Sequence, residues 1–233
     1  MPKFVAVDKV IHKAIKIKED KTFSHLKKQH VTSLVLQEFS IASHDYPIVF
    51  VKDNETGQFR SAAMLGLKPG ENLFFDSKGW KANYKPESIL GYPFVLTNSK
   101  NSQEQKVLVM DEDCERINQT EGIKLFNEDG TPTTFINNVG NFLSSHLNKQ
   151  IQTQSFIKTL LDYDLIIPQS LEISTKDNEK QTINGLYIIG EEEFNNLTDD
   201  RLLHLRKNGF LSAIYSHFFS MTRIASLIKM SNN

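Results

Sequence analysis

The chain has 233 residues, enough for one large domain or two small ones, and folding buries roughly 70% of the unfolded surface at this size. Apolar residues at 39%, charged residues at 24% and 16 Phe describe an aromatic interior and exclude a disordered chain. A formal net charge of −1 argues against a nucleic-acid binder, and a single cysteine, Cys114, excludes an internal disulfide.

The charge is uneven near the start, where residues 1–30 hold eight Lys against Asp8, Glu19 and Asp20. We read this as a solvated basic face; an acidic partner or a membrane surface is the alternative. Met1-Pro2-Lys3-Phe4 leads into alternating apolar and charged residues, without the apolar core of a signal peptide. The expectation is a soluble, cytoplasmic protein, in which the glycosylation-type matches at Asn54, Asn118 and Asn196 carry no meaning.

Taken in chain order, turn signals at 53–57, 68–70, 76–79, 97–102 and 127–130 punctuate the first part of the chain. Between them, Ile48 to Val51, Ser61 to Leu67, Leu73 to Phe75, Phe94 to Thr97 and Val107 to Met110 are short β-branched or aromatic runs. They predict antiparallel strands joined by hairpins. Tyr46-Pro47 and Tyr92-Pro93 each set a proline at the first residue of a strand, where a missing donor is tolerated. Lys68-Pro69-Gly70 predicts a type II turn.

After Gly130 the period lengthens to about 3.6, with Phe135, Val139, Phe142, Leu143 and His146 on one face and then Phe156, Ile157, Leu160 and Leu161. These predict helices. Leu165 to Ser174 and Gln181 to Ile189 flank the polar turn 175–180 and predict a second hairpin. Thr198 is placed as an N-cap hydroxyl before Asp199 and Asp200, with Gly209 as a helix stop. Gly209 to Ile228 is long enough for a membrane span, but Arg223 and six other polar residues make it a buried core helix. The fold class is α+β, as one domain over 1–233 with a subdomain boundary near 130.

Chemistry leaves few marks. His25 and His30 are five apart, missing a one-face metal pair, and Asp111, Asp113 and Glu115 open a calcium loop in which Arg116 and Gly122 occupy the positions of the required Gly and Glu. There is no metal signature, no glycine-rich nucleotide motif and no nucleophile elbow, so no cofactor is implied. Ser43-His44-Asp45 names a catalytic triad, yet adjacent residues do not align as one. Cys114 stands among Asp111, Glu112, Asp113 and Glu115, which suppress a thiolate.

Three blocks carry a resemblance: His44-Asp-Tyr-Pro-Ile-Val-Phe50, Leu65-Gly-Leu-Lys-Pro-Gly-Glu-Asn-Leu-Phe-Phe75 and Gly91-Tyr-Pro-Phe-Val-Leu96. With Asp129-Gly130, Gly185 to Gly190, Leu197 to His204 and Asn208 to Ser220, they make the chain resemble the SapC family over nearly its whole length. Typical members carry Arg where His44 stands. The family is associated with bacterial surface-layer gene clusters, and relatives occur beside flavin-dependent tryptophan-halogenase-like enzymes and outer-membrane receptors. The resemblance implies an accessory role and carries over no catalytic residue.

The leading expectation is therefore a non-enzymatic accessory or binding protein for a protein or peptide partner, in surface-protein assembly or modification. Candidate binding residues are His44, Asp45, Tyr46, Trp80, Tyr84 and Tyr92 near the strand connections, with Tyr215 and His217 in the last apolar run. The competing expectation is an enzyme with a dispersed site drawn from His44, Asp45, Tyr215 and His217, or an accessory partner of a halogenase-like enzyme.

Overall fold

Aromatic and β-branched runs set the sheets of this protein, and one long amphipathic run sets its principal helix. The computed structural model describes residues 3–19, 23–99, 102–174 and 180–232. The fold is α+β, with antiparallel sheets early, helices late and a second hairpin between them. The chain divides into two compact units, one from Met1–Thr22 and Glu87–Asn148, the other from Phe23–Pro86 and Lys149–Asn233.

The larger unit is built on a five-stranded antiparallel sheet in the order Ile166–Ser174, Lys180–Ile189, Ile48–Lys52, Phe59–Met64, Val31–Ser33. Ile48, Val49 and Phe50 of the central strand have no exposed surface. Successive side chains point to opposite faces, so both faces of the sheet are covered there, which is why the strand reads as a continuous apolar run. Phe156 presents its ring edgewise to Phe39 and Phe210, with centroids 5.9 and 5.1 Å away. Burying each such ring contributes about 2 to 3 kcal/mol.

Local chemistry moved several boundaries. The strand expected at Ser61 to Leu67 ends at Met64, because the chain doubles back and Leu73 N–H donates to Leu65 O at 2.8 Å. In the turn that follows, Glu71 N–H donates to Lys68 O at 3.2 Å and Gly70 has φ +84°, the type II geometry expected of Pro69-Gly70. Only Phe75 of the Leu73 to Phe75 run lies in a strand, paired with Trp80. Pro47 and Pro93 stand one residue before their strands; each carbonyl accepts a ladder-like bond, from Met64 and Asp111, while neither has an N–H to give.

The two apolar stretches after Gly130 form one helix, Thr134–Asp162. The single last helix expected over Gly209 to Ile228 is instead two, Leu211–Ser220 and Arg223–Ser231. Ser220 Oγ donates to His217 O at 2.6 Å and Thr222 Oγ1 to Phe219 O at 2.8 Å, so hydroxyls take carbonyls that the helical ladder needs. Thr198 occupies the N-cap of Asp199–Lys207 in an extended conformation, but its hydroxyl makes no capping bond. Gly209, with φ +73°, ends that helix as expected. The tips of the turns at 97–102 and 175–180 include residues 100–101 and 175–179, which lie outside the described residues.

The smaller unit holds a three-stranded antiparallel sheet, Phe4–Ala6, Ser102–Asp111 and Phe94–Ser99 in that spatial order, and a short sheet of Ile117–Asn118, Lys16–Ile17 and Ile123–Lys124. Its core gathers Ile17, Phe94, Met110, Leu125, Phe126, Ile136 and Leu143. His146 Nδ1 lies 3.1 Å from Glu87 Oε2, joining the long helix to the short one at Glu87–Leu90.

Candidate functional site

The residues singled out from sequence fall into three places. In the larger unit, Asp45, Tyr46, Trp80 and Tyr84 form one network. The Tyr46 hydroxyl donates to Tyr84 O and accepts from Trp80 Nε1 at 3.2 Å, and the same indole N–H is shared with Tyr84 O at 3.3 Å. Asp45 Oδ2 accepts Tyr84 N–H at 2.8 Å, and the Tyr84 hydroxyl donates to Glu38 Oε1 at 2.7 Å. Glu38, itself buried, accepts Val35 N–H at 2.9 Å through its other oxygen.

The Tyr46 ring lies edge-on to Phe74 with centroids 4.8 Å apart, and Trp80 stacks on Phe74 at 6.4 Å. Burial pushes the Tyr46 phenol well above its ordinary range, so it stays a neutral donor. Every polar tip named here is turned inward to a protein partner, and the network closes the 79–84 connection onto the strand entry at Tyr46. His44 is next in sequence but exposed, its Nδ1 near Ser40 O and Ile41 O at 3.0 and 3.3 Å.

The Leu211–Ser220 helix carries Tyr215 and His217 two positions apart, which places them on different sides of the helix. Tyr215 is 48% exposed, and its ring lies edge-on to Phe194 at 5.8 Å. His217 is fully buried; its Nε2 accepts Ile189 N–H at 3.0 Å and its ring lies 5.8 Å from Phe50. Burial pulls this imidazole down to about 4, with the Ile48 backbone pushing weakly the other way. It is a neutral acceptor at neutral pH. His44, Asp45, Tyr215 and His217 make no hydrogen bond with one another, each being engaged elsewhere or exposed.

Tyr92 belongs to the smaller unit. Its hydroxyl donates to Asp111 Oδ2 at 2.9 Å, and burial, then Cys114 and Asp111 beside it, raise the phenol's pKa. Asp111 Oδ1 takes the Lys3 and Asp113 N–H groups at 2.9 and 3.3 Å.

A further exposed apolar surface lies on the three-stranded sheet and was not singled out from sequence. Directly paired residues of an antiparallel sheet share a face. Val5, Met110 and Phe94 form one such row, and it faces the core. The neighbouring row, Ala6, Val109 and Val95, points away, flanked by Phe4, Thr97 and Val107. It lines an open groove of ≈ 830 Å³, with Phe4 46% and Val95 42% exposed. A half-solvated antiparallel sheet alternates apolar and polar; here the outer row Ala6, Val109 and Val95 is apolar as well, with Thr97, Asn98 and Ser99 at one end of the groove. The unbroken runs Phe94-Val95-Leu96 and Val107-Leu108-Val109-Met110 carried that signal.

Among the described residues no helix is long and apolar enough to cross a membrane, and no group of three or more His, Cys, Asp or Glu is placed to hold a metal ion. The family model described as SapC matches residues 7–227. The chain belongs to the SapC family. The match spans both units of this SapC-family chain, including the closed Tyr46, Trp80 and Tyr84 network. No curated protein and no solved structure matches it.

Proposed function

We propose that this SapC-family chain is a non-enzymatic accessory protein that binds a protein or peptide partner on the open face of its three-stranded sheet, in surface-layer protein assembly or modification. The observation that carries the reading is the Ala6, Val109, Val95 row, apolar and open where an uncovered sheet face has polar residues. An extended partner suits it, because the groove runs across strands whose outer members, Phe4–Ala6 and Phe94–Ser99, have a sheet partner on one side only among the described residues. Such edges accept an added strand through main-chain hydrogen bonds while apolar pockets take alternate side chains.

The single cysteine supports a cytoplasmic site of action, and the near-neutral charge favours a polypeptide over a nucleic acid. A family match across both units supports reading 1–233 as one SapC-like domain.

The test is affinity capture of the tagged full chain from native cells with crosslinking and mass spectrometry, run beside Val95→Lys. Val95 is exposed, so the variant folds, and we expect it to lose the partner that the wild type retains. Identical capture by both proteins would remove the sheet face from consideration. A turnover found by screening the purified protein, and abolished by a variant of unchanged thermal stability, would replace the accessory reading with an enzymatic one.

A further inference from the structure

The smaller unit contains a second concavity, ≈ 320 Å³ in volume, lined by the rings of Tyr92, Phe94, Phe135 and Phe142 with Arg116 and Asn138 as its polar members. Phe135, Asn138 and Phe142 stand three and four positions apart on Thr134–Asp162, so they share one helix face. The volume is at the small end for ligand sites, enough for one ring and a short chain.

Arg116 is the informative member. Its Nε donates to Lys18 O at 2.9 Å and its Nη1 to Tyr92 O at 2.7 Å, so two backbone carbonyls fix the guanidinium in place. Neither carries a negative charge. Arg116 pairs with no carboxylate among the described residues, although it is half-buried. A guanidinium has five N–H donors, of which these bonds use two. The buried acid of this unit that Tyr92 contacts, Asp111, is occupied by the Tyr92 hydroxyl and by the Lys3 and Asp113 N–H groups, and it does not line the concavity. The Tyr92 hydroxyl is likewise engaged, leaving only its ring to the wall. Asn138 is exposed at the rim with an amide free to donate.

We propose that this pocket binds a monocarboxylate with an aromatic or compact apolar body, its ring among Phe94, Phe135 and Phe142 and its carboxylate on Arg116 and Asn138. A fixed, half-buried cation without an acid is completed by an anion, and a planar guanidinium suits the two oxygens of a carboxylate. A zwitterion is disfavoured, since no acid lines the pocket to receive an ammonium group. The carboxylate belongs either to a free small acid or to the C-terminal residue of a peptide. The inference is independent of the partner assigned to the open sheet face, which uses other residues.

The experiment is a titration of the isotopically labelled full chain with 3-phenylpropionate, followed by amide chemical shifts. Saturable shifts confined to residues 91, 92, 94, 116 and 135–142 are expected. The alcohol 3-phenyl-1-propanol and the zwitterion phenylalanine should bind about tenfold more weakly or worse, the loss of one charge-assisted pair. Arg116→Gln should weaken the acid by about the same factor. Because Arg116 also ties two backbone segments, Val139→Phe serves as a second variant, filling the pocket with Arg116 intact; it should abolish binding with an unchanged melting temperature. A phenylalanine-terminated peptide that competes only with a free C-terminus assigns the chain-end source, and failure of both peptide forms beside binding of the free acid assigns the small molecule. Equal affinity for acid and alcohol, wild-type affinity in folded Arg116→Gln, or no saturable shift at millimolar acid would overturn the proposal.

Discussion

Protonating His217 should unfold this protein more readily than any surface change. The imidazole is fully buried and accepts the Ile189 N–H, a bond that only the neutral ring makes. Its pKa falls from 6.5 in the unfolded chain to about 4 in the folded one, chiefly through burial. The folded state therefore binds fewer protons than the unfolded state between those values. The contribution is fully present above the unfolded pKa and is lost as pH falls through that window. A depression of this size is worth about 3 kcal/mol, a large fraction of the stability of an ordinary domain.

The assay is urea denaturation of the wild type and of His217→Gln at about pH 7.5 and about pH 4.5, near the two ends of the window. Gln offers an uncharged carbonyl toward Ile189 but not the ring that packs on Phe50, so at the higher pH the variant should be less stable by about 1 to 3 kcal/mol. At the lower pH only the wild type has lost the His217 contribution, and the gap should close or invert. Every other ionisable group is common to the two proteins and cancels in the comparison. A gap unchanged between the two conditions, or a His217 imidazole resonance, assigned by its loss in His217→Gln, titrating near 6.5 in the folded protein, would refute the argument.

Gly70→Val should destabilise by about 1 kcal/mol or more in the same denaturation assay; φ is +84° and nothing lies within 4 Å of an added Cβ, so the cost is backbone strain alone. Tyr84→Phe removes the hydroxyl donated to buried Glu38 and should cost about 1 to 3 kcal/mol, read as a lower melting temperature. Leu160→Ala, at a site with no exposed surface, should cost about 2 to 5 kcal/mol through the cavity it leaves, with the denaturant slope unchanged.

Period and turn chemistry made most of the fold legible. Pro69-Gly70 announced its turn because Pro fixes φ and Gly accepts the positive value, both local properties. The helix at Thr134–Asp162 was legible as apolar spacing, but its continuity was not, since Ile151 is the one apolar residue of 148–155 and it faces solvent. The break at Met221 and Thr222 was hidden because Ser220 and Thr222 are tolerated inside helices as often as they bend them, and only the geometry shows which carbonyls their hydroxyls take. Among the site residues, aromatic type drew attention to Tyr46, Trp80 and Tyr84, yet type does not tell a ring that receives a partner from one that locks a loop. The open face of the three-stranded sheet was written as strands apolar at consecutive positions, a signal that needs the register to become a surface.

That contrast separates two kinds of residue in this chain. The Asp45, Tyr46, Trp80, Tyr84 and Glu38 set spends its polar atoms on other protein atoms, and His217 spends its one acceptor on Ile189. Substitutions there act through stability, and any loss of partner binding should track the unfolded fraction. Val95 and Arg116 are different: one exposes apolar surface that contributes little to the unit's own core, and the other holds a charge that no acid of the described residues answers. Folding gives no reason for Val95, where a polar side chain would be the less costly solution, and for Arg116 it explains the bonds to Lys18 O and Tyr92 O but not a half-buried charge left without an acid. The proposed partner face and carboxylate pocket supply a reason for both, and variants that leave the melting temperature where it was are the ones that test it.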